Sequence, residues 1–131
     1  MIKMSQFLTR RADLTHEQFS DYWQNKHWPL IISLGPAKEN TRRYVQQHSI
    51  GVPDGPPTAP YDGYAEAWFD DLAALQRMVT SPEWKIVQKD ELNFLDTSKT
   101  VILFTEAKIT YENCAARIGP DGDAPPGSRA L

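Results

Sequence analysis

Three histidines stand at positions 16, 27 and 48, and the middle one lies in the densest aromatic stretch of the chain, "HEQFSDYWQNKHWPLI" (16–31). An imidazole titrates near pH ~6.5 when unperturbed, so it can take or give a proton close to neutrality. Phe19, Tyr22, Trp23 and His27 recur at helical spacing, which puts His27 at the last turn of an aromatic-faced helix. A helix C-terminus favours the cation and a half-dry aromatic pocket favours the neutral ring. The two effects oppose each other and can hold the group poised for general acid/base work. The plain alternative is a histidine that ends the helix and donates to a free carbonyl.

Two strand-like runs carry a second set of candidates. In "TRRYVQQHSI" (41–50) the side chains of Tyr44, Gln46 and His48 share one face. In "YDGYAEAWFD" (61–70) Tyr64, Glu66 and Trp68 alternate with Ala65, Ala67 and Phe69. Small alanines suit a face on which helices pack closely, so Tyr64, Glu66 and Trp68 are expected to point the other way. Tyr44, Gln46 and His48 are taken as the matching set on the neighbouring strand. Together they would line a cleft for an aromatic, oxygenated ligand. The tyrosines would hydrogen-bond a phenol or carbonyl oxygen, or simply pack. Trp68 is the stacking candidate, and Trp23 either joins it or belongs to the core. Glu66 is a pocket carboxylate if it faces inward, and otherwise a sign of inverted parity. His48 is a second acid/base or an orienting donor, unless it faces water at a sheet edge. His16, beside a helix start, is expected in solvent.

Other chemistries leave no trace. The histidines are 11 and 21 residues apart with no HxxxH or CxxC, so no metal site is expected. There is no GxGxxG, no P-loop and no nucleophile elbow. No cofactor is therefore anticipated.

The elements that must position these residues read in a definite order. "IKMSQFLTR" (2–10) is a first strand, apolar on much of both faces. Thr15 and Gln18 match a capping box, in which the hydroxyl and the amide each satisfy a free backbone N–H. Pro29 makes Trp28 a poor helical residue, so the first helix should end there and 30–40 should be a loop. The second strand follows. "GVPDGPPTAP" (51–60), with four prolines, must be an irregular surface segment. After the third strand, Asp70 or Asp71 caps a helix over 72–81. "SPEWKIVQKDELNFL" (81–95) restarts one, with Ser81 as cap and Pro82 first. "KTVILFTEAKIT" (99–110) is the last strand.

This β-α-β-β-α-β order is the ferredoxin-like arrangement: a four-stranded antiparallel sheet with helices on one face. The uncovered face carries large apolar groups, and two such faces can pack around a two-fold axis as a dimeric α+β barrel. We expect a domain over 1–110 and a Gly/Pro-rich C-terminal tail over 111–131 that is mobile or drapes over a neighbour.

"FSDYWQNKHWPLI", the element order and "NFLDTSKTVILFTEA" resemble the EthD-like family of the dimeric α+β barrel superfamily. The resemblance covers roughly residues 1–110. It rests on Phe19, Tyr22-Trp23, His27 and Pro29 in helix one. It implies cofactor-independent proton chemistry on a small, often aromatic or polyketide-like substrate through an enol-like intermediate: dehydration, decarboxylation, cyclisation or isomerisation. It also implies that His27 is catalytic and that Asp96, in "FLD", is a family acid that orients His27 or polarises water. The bland reading of Asp96 is a cap on the turn at Thr97 or Ser98. The rival functions are a cofactor-free monooxygenase of anthrone-like substrates and a non-catalytic small-molecule-binding dimer.

The bulk composition agrees with a globular enzyme-sized domain. The chain has 131 residues, 40% hydrophobic and 24% charged, with a net charge of −3. No basic stripe invites nucleic acid, and no apolar run reaches the ~18 residues of a membrane span. The N-terminus is too short and polar for a signal peptide. The single cysteine, Cys114, rules out an internal disulfide and suits a reducing, cytoplasmic setting. No thiol chemistry is assigned to it.

Overall fold

The computed structural model describes residues 1–113; Cys114 and most of the expected tail lie outside the described residues. Strand β1 (Ile2–Leu8) is followed by helix α1 (His16–Tyr22), a wide π-helical turn (Trp23–His27), and helices α2 (Trp28–Ser33) and α3 (Gly35–Asn40). Strands β2 (Arg43–His48) and β3 (Gly63–Phe69), helices α4 (Leu72–Val79) and α5 (Trp84–Glu91), a 3-10 turn (Thr97–Lys99) and strand β4 (Val101–Glu106) complete the chain. The strands form one sheet in the order β2-β3-β1-β4, every pair antiparallel. Met4, Leu8, Ala65, Ala67 and Phe69 of the sheet pack against Phe19, Trp23, Leu75, Met78 and Phe94 of the helical layer. The helices therefore cover one face, as the ferredoxin-like reading requires.

Local chemistry explains most boundaries. Thr15 and Gln18 form the reciprocal capping box at the start of α1, and Asp71 caps α4 by accepting from the Ala74 N–H at 2.8 Å. Three expectations fail. The first helix does not stop at Trp28. Instead the turn widens, so that the Trp28 N–H reaches the Trp23 carbonyl, and Pro29 enters the first turn of α2, where its missing N–H costs nothing. The expected loop over 30–40 is likewise helical. Pro36 sits in the first turn of α3 and Ala37 is buried in the core, with extended Leu34 separating the two short helices. Ser81 does not cap α5. Its hydroxyl donates to the Met78 carbonyl at 2.6 Å, closing α4, and α5 begins after Glu83.

The most consequential correction concerns strand parity. Register pairs Tyr44 with Ala67 and Gln46 with Ala65. Cross-strand partners share a face, so Tyr44, Gln46 and His48 lie on the helix side with the alanines. Tyr64, Glu66 and Trp68 lie on the opposite, uncovered face with Lys3, Phe7, Arg43 and Gln47. The two sets expected to line one cleft are separated by the sheet.

Candidate active site

His27 is inside the protein, 5% exposed, at the end of the wide turn. That turn lets consecutive residues face inward: His27 and Trp28 both line a cavity between the helices and the covered face of the sheet. The cavity leaves about 40 Å³ in which the centre of a water molecule can move. Its walls are largely apolar, including Met4, Leu8, Trp23, Ile31 and Phe94. The polar lining comes from Gln6, His27, Thr41, Tyr44 and Glu91, and no lysine or arginine is among the described lining residues. The chamber beside His27 thus exists, but on the face opposite to the expected one.

The imidazole is held from behind. Its Nδ1 lies 2.7 Å from Asp90 Oδ2, and the ring packs against Phe94 at 4.7 Å between centroids. The other oxygen of Asp90, Oδ1, accepts from the Tyr22 hydroxyl at 2.7 Å and from Asn93 Nδ2 at 3.2 Å. Burial pushes the Asp90 carboxyl up, but the hydrogen bonds from His27, Tyr22 and Asn93 outweigh it and hold it below the usual carboxylate value. Burial also lowers the His27 pKa, and Asp90 offsets that only in part. The resting pair is therefore an ionised carboxylate and a neutral imidazole with its proton on Nδ1. Nε2, with no hydrogen-bond partner among the described residues, carries the free lone pair. Asp90 does not appear among the residues singled out from the sequence. Its signal was weak: it lies 63 positions from His27, in a charged helix where a carboxylate is unremarkable.

Glu91 was missed as well, although it left a trace. Val87, Glu91 and Phe94 fall on one helical face, and Val87 and Phe94 are buried, so a carboxylate sits between two core positions. Desolvation, helped by the Asp90 charge, pushes its pKa up to about 7. No side-chain hydrogen bond or ion pair holds it among the described residues.

Tyr44 forms another wall. Its ring stacks on Trp28 at 4.2 Å with an interplanar angle of 4°, and burial pushes its pKa up to about 12, so it is a neutral phenol. A hydrogen-bond chain orients it. Gln46 Nε2 donates to the Trp23 carbonyl at 3.0 Å and to the Tyr44 hydroxyl at 3.1 Å. Gln46 Oε1 must then accept, so His48 Nε2, 2.9 Å away, bears the proton. His48 Nδ1 in turn takes the Ser20 hydroxyl proton at 2.9 Å. Burial and the nearby His16 lower the His48 pKa, consistent with this neutral ring. Both nitrogens of His48 are engaged and its ring packs, tilted by 34°, against Trp23 at 4.5 Å between centroids. It supports Tyr44 through Gln46 rather than reaching the cavity.

The remaining candidates lie elsewhere. Asp96 accepts from the N–H and hydroxyl of Ser98, which makes it the turn cap; the carboxylate beside His27 is Asp90. Glu66 is buried on the uncovered face, 2.6 Å from Lys3 Nζ and 3.1 Å from Gln47 Nε2. Trp68 lies under Lys3 and Arg43, and Tyr64 stacks on Phe7 at 5.4 Å. None of these three touches the cavity. His16, expected in solvent, bridges Asp62 and the Ser49 carbonyl, each at 3.0 Å.

A sequence model of the EthD domain matches residues 11–98. No curated protein sequence matches the chain. Among solved structures, an EthD-family protein from Bacillus halodurans is similar with TM-score 0.64 and 21% identity, over 82% of this chain and 98% of that one. A hydroxynitrile lyase from Passiflora edulis is similar with TM-score 0.64 and 14% identity, over 84% and 95%. A dimeric protein of ferredoxin-like fold from Bacteroides fragilis is similar with TM-score 0.59 and 19% identity, over 81% and 95%. At such identities these structures establish the shared fold and nothing of the chemistry. Among the described residues no helix is long and apolar enough to cross a membrane.

Proposed function

We propose a function from one premise: this chain belongs to the EthD domain family. It is a cofactor-independent acid/base enzyme whose base is His27. The observation that carries the reading is the buried His27–Asp90 pair at 2.7 Å on the wall of an apolar cavity. An imidazole with its Nδ1 proton given to a carboxylate offers Nε2 as a base and gains stabilisation as it becomes cationic. The proton it takes comes from carbon next to a carbonyl. The negative charge that develops on the carbonyl oxygen is met by the Tyr44 hydroxyl, which accepts from Gln46 and donates to no group among the described residues.

The walls also narrow the substrate. A chamber without a lysine or arginine among its described lining residues gives no counter-charge to a carboxylate or phosphate, which would lose its hydration on entry. The substrate is therefore an uncharged carbonyl compound, and one that carries a ring must widen the roughly 40 Å³ space on entry. That favours dehydration, cyclisation or isomerisation over loss of CO₂ from an ionised acid. The working unit is a homodimer joined through the uncovered sheet face.

α-Tetralone, a small aryl ketone, tests the base directly. In D₂O the protein should accelerate exchange of the protons next to the carbonyl, followed by NMR. His27→Ala should lower the enzymatic rate by roughly 10²–10⁴-fold, the ordinary worth of a positioned base. Exchange no faster than buffer, or equal rates in both proteins, removes His27 from the mechanism.

A further inference from the structure

The cavity wall holds a second proton-handling group that this reading leaves idle. Glu91 lies on the α5 face that closes the chamber containing His27. It also lines a groove running between α5 and β4, together with Gln88, Thr97, Thr100, Ile102 and Phe104. Glu91, Gln6, Met4 and Trp84 thus form the partition between the two spaces. On the groove side Thr100 Oγ1 is buried without a hydrogen-bond partner among the described residues. A carboxyl in this position costs stability as a core filler, since a leucine would fill the same face without desolvating a charge. It shares the cavity wall with His27.

We propose that Glu91 is the catalytic acid that works opposite His27, and that the enzyme eliminates water from an uncharged β-hydroxy carbonyl compound on an aromatic framework. This deepens the reading of His27 as base and rests on it. His27 Nε2 takes the proton from the carbon next to the carbonyl, and that C–H electron pair becomes the new C=C bond. The bond from the next carbon to the hydroxyl oxygen breaks, its pair goes to oxygen, and the Glu91 carboxyl supplies the proton that lets it leave as water. The enzyme is left with imidazolium at His27 and carboxylate at Glu91. The proton lost by His27 and the proton regained by Glu91 are equal in number, so the cycle closes without any other reactant. The groove behind Glu91 gives that carboxylate a solvent-side route for reprotonation. A carboxyl with its pKa raised to about 7 is still half protonated at neutral pH, which suits an acid.

Three probes separate this proposal from the one beneath it. α-Tetralone needs a base only. 3-Hydroxy-1-tetralone needs a base and an acid, because hydroxide leaves poorly, and its dehydration gives fluorescent 1-naphthol. 3-Acetoxy-1-tetralone needs a base only, because acetate leaves unaided. Glu91→Gln should lose about 100-fold or more in dehydration beyond whatever it loses in tetralone exchange and acetate elimination, the typical worth of one positioned acid. Equal dehydration rates in Glu91→Gln and native protein overturn the assignment. So does equal loss on all three probes, which would mark a structural role, and so does a native protein that exchanges tetralone yet leaves the hydroxyketone intact. A native protein inert to all three overturns the His27 reading, and this one with it.

Discussion

Asp90 Oδ1 already accepts from Tyr22 and Asn93, and that arrangement fixes what an amide would do in its place. In Asp90→Asn the carbonyl oxygen keeps those two donors, so the NH₂ turns toward His27 Nδ1 and donates to it. The imidazole must then carry its proton on Nε2, and the base is blocked although the packing is almost unchanged. Tetralone exchange should fall by roughly 10²–10⁴-fold, comparable to the loss of the imidazole itself, with little change in the unfolding midpoint. The pH dependence has a definite sign at this scale. Only the neutral ring is a base, and burial lowers the His27 pKa. Exchange should therefore rise with pH through a value below the ordinary ~6.5 of histidine and then stay level. Dehydration of the hydroxyketone additionally needs the protonated carboxyl of Glu91, so it should fall again as pH rises through about 7. The profile is a narrow bell, and Glu91→Gln flattens its alkaline side while lowering the whole curve. Rates that fall toward high pH for plain exchange as well would contradict the separate roles.

At the scale of elements, the site depends on how closely β2, β3 and the wide turn approach. Gly63 opens β3 opposite His48. A Cβ there would run into the Gln47 carbonyl oxygen and come within 2.9 Å of Trp23 Cζ3. Neither can yield freely, because one is backbone and the other is a fully buried ring that walls the cavity. Gly63→Ala should destabilise by about 1–3 kcal/mol through overpacking, read as a drop of several degrees in the unfolding midpoint, and should impair exchange because Trp23 and the Gln46–Tyr44 chain shift with it. The elements also show what a sequence can and cannot reveal. The Thr15–Gln18 box, the alternation of β3 and the proline-rich segment over 51–60 are local signals, and each matches what the backbone does. His27 was legible because an aromatic helical face and its nearby proline mark it within one stretch. Pro29 misled because a π-turn can absorb it, a solution that depends on the sheet packed beneath. The parity of β2 against β3 was not legible, since nothing within either strand says which of its faces meets the other's. That inverted Tyr44, Gln46 and His48. Asp90 escaped because its partnership with His27 arises from α5 docking across the wide turn.

For the whole molecule, the uncovered sheet face poses the remaining problem. On β4, Val101 and Leu103 point to that side and are 47% and 53% exposed. They continue a surface formed by Phe7, Tyr64 and Trp68 across β1 and β3. An apolar strip of this kind on a sheet face asks for a partner surface. The charges on the same face argue that the partner is a second copy. Glu66 is already neutralised by Lys3 and held by Gln47, and Lys3 and Arg43 sit over the Trp68 ring. The Lys3–Glu66 pair can therefore be covered as a neutral unit, while Arg43, with no carboxylate partner among the described residues, must keep its water at the rim of a two-fold contact. Light scattering should give a mass of about twice 14.9 kDa. Leu103→Asp places a carboxylate in the contact, where the neighbouring Lys3 is already paired with Glu66 at 2.6 Å, and burial of such an uncompensated group costs several kcal/mol. The variant should be monomeric at micromolar concentration. Because the cavity lies on the opposite side of the sheet, its His27–Asp90 pair should survive in the monomer. Tetralone exchange per chain should then drop only modestly if the dimer merely steadies the sheet, and a dimeric Leu103→Asp protein would place the contact elsewhere.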